Sequence, residues 1–268
     1  MLKVPSGGAR EGSCGRTVRL ALFGVGLWGD TAAMATDRIW KLRLLGGWQL
    51  RRGDQSATVA LRQQRLIAAL ALYGRQPRTF LAGLLWPDRP EHQAFGNLRE
   101  SVFVVNRDLP KLLVPTRDSL DLAERARIDI RDIRAQASDV EEQTGPDLPQ
   151  SVLYSVLEAE LLPGWHEDWV ISEQDRWQRW RLSVLERLAR QFLVQGKIDL
   201  AVEAARAATT IDPLRESAQR LLLQCYLAEG NQAEALRAYL SFRIRLRQEF
   251  GVDPSPFTAD LVSSLLVD

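Results

Sequence analysis

The chain has 268 residues, 46% hydrophobic and 26% charged, which suits one large or two smaller domains and excludes a fibrous or disordered polypeptide. Two cysteines (Cys14, Cys225) and two histidines (His92, His166) are too few for a disulfide framework or an ordinary zinc site, so a reducing cytoplasm is expected. The net charge of +1 hides a segregation: residues 37–125 hold 15 Lys/Arg against 9 Asp/Glu, and residues 126–268 hold 16 against 23.

A basic part followed by an acidic one is the asymmetry of a protein in which one domain meets nucleic acid, although chance segregation of solvated charge gives the same numbers. No stretch reaches the roughly 18 apolar residues of a membrane-spanning helix, so no membrane partner is expected.

At the start, Lys3, Arg10, Arg16 and Arg19 precede the apolar run Leu20–Trp28 and the small residues Ala32–Ala35, the order of a secretory signal. The long leading segment and Glu11 within it argue against export. Met34 stands just before the first regular element. Residues 1–36 are therefore expected to be disordered or an upstream extension from a mis-chosen start, with no part in the fold.

Residues 39–45 alternate apolar and basic side chains as a half-buried strand does. Gly46-Gly47 and Gly53-Asp54 are turns that lead into strands at Trp48–Arg52 and Ala57–Leu61, giving a small antiparallel sheet. Three helices follow. The first, Arg62–Tyr73, places Leu66, Ala69, Leu70 and Tyr73 on one face and stops at Gly74. The second, Phe80–Trp86, is capped by Thr79 and so apolar that it should be buried. The third, Glu91–Leu109, buries Leu98, Val102, Val105 and Leu109 and exposes Asn97, Arg99, Glu100, Phe103, Asn106 and Arg107.

Lys111–Val114 and Leu120–Leu122 then flank a polar turn with a central arginine, a β-hairpin. Strands, three helices and a hairpin in this order make a winged helix-turn-helix. Its last helix enters the major groove of double-stranded DNA, and its hairpin reaches backbone or minor groove.

These residues also resemble a family. Leu84-Leu-Trp-Pro-Asp88, Asn97-Leu-Arg99, Asn106-Arg-Asp-Leu109 and the opening Leu42-Arg-Leu-Leu-Gly46 are similar to the SARP-type bacterial transcriptional activators. The resemblance implies a response-regulator-type winged helix joined to a helical bacterial transcriptional activation domain. It also implies promoter repeats and RNA polymerase as partners, with a possible homodimer on DNA. One departure stands out: family members carry several basic residues at the end of the third helix, where this chain has Val104, Asn106 and Asp108 and keeps only Arg99 and Arg107. Fewer cations mean less counterion release and weaker non-specific binding, or more reliance on Lys111 and Arg117 of the hairpin. Phe103 has two readings, contact with a thymine methyl or packing under the hairpin.

Beyond residue 126, a short amphipathic helix over 128–137 runs into the polar stretch 141–149, a loop able to hinge the two parts, and Ser151–Leu157 is a further helix. In Leu161–Trp169 the two tryptophans, Trp165 and Trp169, are packing anchors. His166 beside Glu167 and Asp168 lacks a nucleophile or second base, so it reads as structural.

Gly196 and Gly230 lie 34 residues apart, and the same offset relates Leu188 to Leu222, Leu193 to Leu227, Ala201 to Ala235 and Ala204 to Ala238. Thirty-four is the tetratricopeptide period. The expected helices are 170–195, 197–210, 213–229 with Pro213 at its start, 231–249, and a last one at 255–266. The arginines at 243, 245 and 247 read as a solvated face beside Glu249.

The sequence thus predicts a mainly α protein with a small β part. A winged helix-turn-helix DNA-binding domain over 37–125 precedes an all-α TPR-like activation domain over 126–268. No phosphate loop, dinucleotide fingerprint, nucleophile elbow or zincin helix occurs, so neither an enzyme nor a cofactor is expected. The candidate DNA contacts are Asn97, Arg99, Phe103, Asn106 and Arg107 on the third helix with Lys111, Thr116 and Arg117 on the hairpin. The rival reading is a protein-binding adaptor whose winged helix has lost DNA affinity. A small-molecule sensor using the concave face of the repeats is compatible with either.

Overall fold

The computed structural model describes residues 39–142, 150–157 and 160–265, all within the unit Ala32–Asp268. The expectations for residues 1–36 and for most of the 141–149 loop lie outside the described residues.

Strand β1 (Trp40–Arg43) buries Trp40 and Leu42 and leaves Arg43 exposed, as its alternation requires. It pairs antiparallel with β2 (Gln49–Arg52), Leu42 opposite Leu50. The third strand is shorter and earlier than expected: β3 is Gln55–Ser56, because the chain leaves the ladder at Ala57 and starts helix α1 at Leu61. Helix α1 (Leu61–Tyr73) has Leu66–Leu70 fully buried and ends at Gly74.

Two residues, Gln76–Pro77, form β4 before α2 (Arg78–Leu85). Thr79 does not cap α2, which begins one residue earlier, after Pro77. Nor is α2 wholly buried: Leu81, Ala82 and Leu85 are, but Phe80 is 39% exposed. Helix α3 (Glu91–Asp108) buries Ala94, Leu98, Val102 and Val105, with Leu109 buried at its cap. The hairpin of β5 (Leu113–Pro115) and β6 (Ser119–Leu122) then pairs with β4, in the order β4-β6-β5. Helices α1 to α3 with this hairpin are a winged helix.

The first sheet gains a member that alternation does not reveal. Strand β7 (Arg127–Ile128) runs parallel to β1, Ile128 beside Leu42, and α4 (Asp129–Glu142) follows at once. Asp129 is buried, and its carboxylate accepts the backbone N–H groups of Leu44, Leu45 and Ile130 at 2.8–2.9 Å. Two residues on, Arg131 donates to the carbonyls of Leu70 and Ala71. Helix α1 has no basic residue in its last turn, so a cation from α4 meets the carbonyls of that turn and the negative end of its dipole.

Helix α5 (Gln150–Leu157) precedes four long helices: α6 (Asp168–Val194), α7 (Ile198–Ile211), α8 (Glu216–Glu229) and α9 (Gln232–Phe250). The 34-residue period is structural. Gly196 and Gly230 both have positive φ, 71° and 79°. At each, the next residue returns the same bond: Lys197 N–H to Phe192 O at 2.9 Å, and Asn231 N–H to Tyr226 O at 2.9 Å. These are two Schellman turns one repeat apart. Ala201, Ala204 and Ala235 are fully buried, and the small side chains let the paired helices pack closely.

Helix α8 starts at Glu216, later than expected. Pro213 stays outside it, and its carbonyl accepts from Gln219 Nε2 at 2.9 Å. The final segment is α10 (Pro256–Ala259) followed by a 3-10 turn, Asp260–Leu265, rather than one helix. Both anchor tryptophans pack on the core, Trp169 buried and Trp165 half-buried. Of the arginine stripe, Arg243 and Arg247 pair with Asp253 across the terminal turn instead of with Glu249.

Candidate nucleic-acid interface

The winged helix presents α3 and the tip of the hairpin. Helix α3 is held against α1 through Arg62, whose Nη2 donates to Asn97 O at 3.0 Å and Asn97 Oδ1 at 2.8 Å, while its Nη1 lies 2.9 Å from Glu100. Asn97, half-buried, therefore has its side-chain oxygen engaged inside the domain. Ser101 adds a bond from Oγ to Asn97 O at 2.9 Å.

Arg99, Phe103, Asn106 and Arg107 all face solvent. Their spacing of four, seven and eight residues from Arg99 makes one stripe along the helix. Phe103 is 65% exposed, which corrects the reading that it packs beneath the hairpin. Arg107 is paired with its neighbour: Nε lies 2.6 Å from Asp108 Oδ1 and Nη2 2.9 Å from Oδ2. The hydrogen bond from Arg107 holds the Asp108 carboxyl below its ordinary range. The same stripe extends backward to Gly96 and His92, both exposed. Stepping back from Arg99 by three and seven residues would have found them.

Lys111, expected on the hairpin, lies instead in the turn between α3 and β5, because β5 begins only at Leu113; it is exposed and has φ 67°, the left-handed region that a lysine seldom occupies. Thr116 closes the hairpin turn. Its N–H donates to Ser119 O at 2.9 Å, and its Oγ1 accepts the Ser119 N–H at 3.1 Å and lies 2.7 Å from Ser119 Oγ. Its hydroxyl is thus used within the tip, and Arg117 beside it is exposed. Arg78, at the start of α2, reaches Thr116 O at 3.4 Å. That role is invisible in sequence, because it depends on β4 pairing with β6.

The exposed members of the predicted set are therefore Arg99, Phe103, Asn106 and Arg107 on α3, Lys111 in the α3–β5 turn and Arg117 at the hairpin tip. Asn97 and Thr116 serve internal bonds. Among the described residues no group of three His, Cys, Asp or Glu side chains is arranged to hold a metal, and no helix is long and apolar enough to cross a membrane. His166 is exposed.

Residues 152–266 match the family described as bacterial transcriptional activator domain. Regulatory protein AfsR of Streptomyces coelicolor is 33% identical over 230 residues, 81% of this chain and 23% of that protein. Regulatory protein AfsR of Streptomyces griseus is 29% identical over 245 residues, 87% of this chain and 25% of that protein. The chain thus spans about a quarter of the length of these relatives. Among solved structures, Mycobacterium tuberculosis EmbR in complex with a low-affinity phosphopeptide has the same fold, with a TM-score of 0.59 at 18% identity over 85% of this chain and 65% of that one.

Proposed function

We propose that this chain, with a winged helix ahead of a segment matching the bacterial transcriptional activator domain, is a SARP-type, sequence-specific DNA-binding transcription regulator acting as an activator in the cytoplasm. The observation that carries this reading is the exposed stripe of α3, with Arg99, Phe103, Asn106 and Arg107, joined by the exposed Lys111 of the α3–β5 turn and Arg117 of the hairpin tip. A polar and cationic helix face of this length suits the major groove, and cations on a hairpin suit flanking phosphates.

In this reading the DNA-binding part is 37–125 and the activation part 126–268, the latter contacting RNA polymerase and spacing two protomers on promoter repeats. Asn97 and Thr116 shape the interface instead of touching DNA. Selection of genomic fragments by the full chain at two salt concentrations tests it. An enriched repeated motif whose binding weakens with salt is expected.

One observation favours a second reading. Asp108 neutralises Arg107 and leaves α3 with Arg99 as its one exposed arginine without an ion pair among the described residues. A protein-binding adaptor whose winged helix has lost DNA affinity fits that shortage. No enrichment from folded protein in the same experiment selects it.

A further inference from the structure

A cavity of about 540 Å³ lies where the α2–α3 connection meets the start of α6, within the range of small-molecule sites. None of its lining residues belongs to α3 or the hairpin, so it is separate from the DNA-facing stripe. It also lies at the first helix of the repeat region, away from the pairing of α8 with α9.

Its walls are apolar where Leu84, Leu85, Trp86, Pro87 and Trp169 contribute. Its charge is unbalanced. Asp88, Glu167 and Asp168 line it against Arg65 and Arg89, one negative charge in excess with His166 counted as neutral. Arg65 is already committed: Nη2 donates to Leu85 O at 2.9 Å, and Nε lies 3.0 Å from Glu167. That pair spans the cavity's two sides, α1 and α2 on one and the α6 start on the other. The positive end of the α6 dipole is covered by Glu167 at its cap and Asp168 in its first turn. Asp88, Arg89 and Asp168 are exposed at the cavity rim, and among the described residues neither aspartate is held in an ion pair.

We propose that this cavity binds a small organic ammonium ion with a flat apolar body. The body packs on Trp86 and Trp169, and the ammonium is held by Asp88 and Asp168. An anion of the same shape meets the excess carboxylate charge and is rejected. Because the walls come from α1, α2 and the start of α6, a bound ligand bridges these elements and raises the unfolding temperature of the chain. The site stands independently of the DNA reading.

The test uses the full chain with 2-phenylethylammonium and, as the charge-reversed match, 3-phenylpropionate, measured by calorimetry and thermal unfolding. Saturable one-to-one binding of the ammonium is expected, roughly ten-fold tighter than the carboxylate, with an upward thermal shift. The double variant Asp88→Asn/Asp168→Asn, whose side chains keep their size, should lose about ten-fold in ammonium affinity while its circular dichroism stays unchanged and its ligand-free unfolding temperature falls only slightly, through the lost Asp168 charge at the α6 N-terminus. If that variant unfolds early, Arg89→Gln serves instead and should bind the ammonium more tightly. Equal binding of the two probes, no saturable binding, or affinity indifferent to these substitutions overturns the proposal. Fragment selection by the double variant should match that of the unaltered chain.

Discussion

At the scale of single residues, charge arithmetic on α3 decides how strongly the interface grips DNA. Arg107 and Asp108 face solvent and are locked to each other by two hydrogen bonds. In water such a pair is worth little to stability, but it removes one cation from the phosphate count. Asp108→Asn should therefore tighten DNA binding at low salt and steepen the salt slope by about one unit, since each freed phosphate contact releases a counterion. Arg107→Ala should cost about 1–3 kcal/mol with relaxed specificity if it reads a base, whereas Arg117→Ala should weaken all sequences alike and flatten the slope. Unchanged binding in both arginine variants, read by fluorescence anisotropy at several salt concentrations, removes the site assignment. Lys111 separates charge from backbone. Its φ of 67° costs a residue with a Cβ about 1–2 kcal/mol, and glycine nothing. Lys111→Gly should raise the denaturation midpoint while weakening DNA binding, and Lys111→Gln should weaken binding to the same degree with no gain in stability.

At the scale of elements, the helices were legible and the two-residue strands were not. Helix α3 follows from Leu98, Val102, Val105 and Leu109, whose spacing alone puts them on one buried face. The 34-residue offset locates both Schellman turns because glycine is the residue that accepts their positive φ. By contrast β4 and β7 each contribute two residues to a ladder, too few for any period to register, and only their partners β6 and β1 make them strands. Local start signals also misled, because α2 and α8 begin without any side-chain cap. Thr79 and Pro213 look like helix starts, yet α2 and α8 begin elsewhere. Phe103 illustrates the limit at the interface: an exposed aromatic on a recognition helix has the same sequence signature as a core one.

Asp129 shows a long-range link of this kind and its pH signature. Burial pushes its carboxyl up to about 6, against the opposing effect of three backbone N–H bonds. Between about pH 4 and 6 the folded chain thus holds a proton that the unfolded chain has released, so this group's contribution falls as pH rises through 6 and is greatest below 4. Urea unfolding of Asp129→Asn, which cannot ionise, should gain on the unaltered chain as pH goes from about 4.5 to 7.5. Asp129→Ala leaves three buried N–H groups without an acceptor and should cost at least about 1–3 kcal/mol at either pH. A constant difference between the Asn variant and the unaltered chain across that range would falsify the role given to burial.

At the scale of the whole molecule, the charge boundary near residue 125 is not where the hydrogen bonds stop. Strand β7 completes the first sheet, Asp129 caps the end of β1, and Arg131 covers the carbonyl end of α1. Further along, Leu44 and Gly46 exchange backbone bonds with Leu162 and Glu160, Arg65 pairs with Glu167, and Tyr73 lies 6.3 Å from Trp169. The Tyr73 hydroxyl bonds Glu173 of α6 and is pushed up to about 12, mainly by burial. Packed groups, and not only the intervening chain, thus join β1 and α1 to α4 and α6. The consequence can be tested by cutting. A fragment ending at residue 125 loses a β-ladder, the carboxylate that accepts the buried Leu44 and Leu45 N–H groups, and a helix cap, and should be at least about 3 kcal/mol less stable than one ending at residue 142. The longer fragment keeps all three and should fold and bind DNA in its own right. Equal unfolding midpoints for the two fragments would mean that the links through β7, Asp129 and Arg131 contribute nothing net, and that the winged helix and the repeats are coupled only through the α6 contacts.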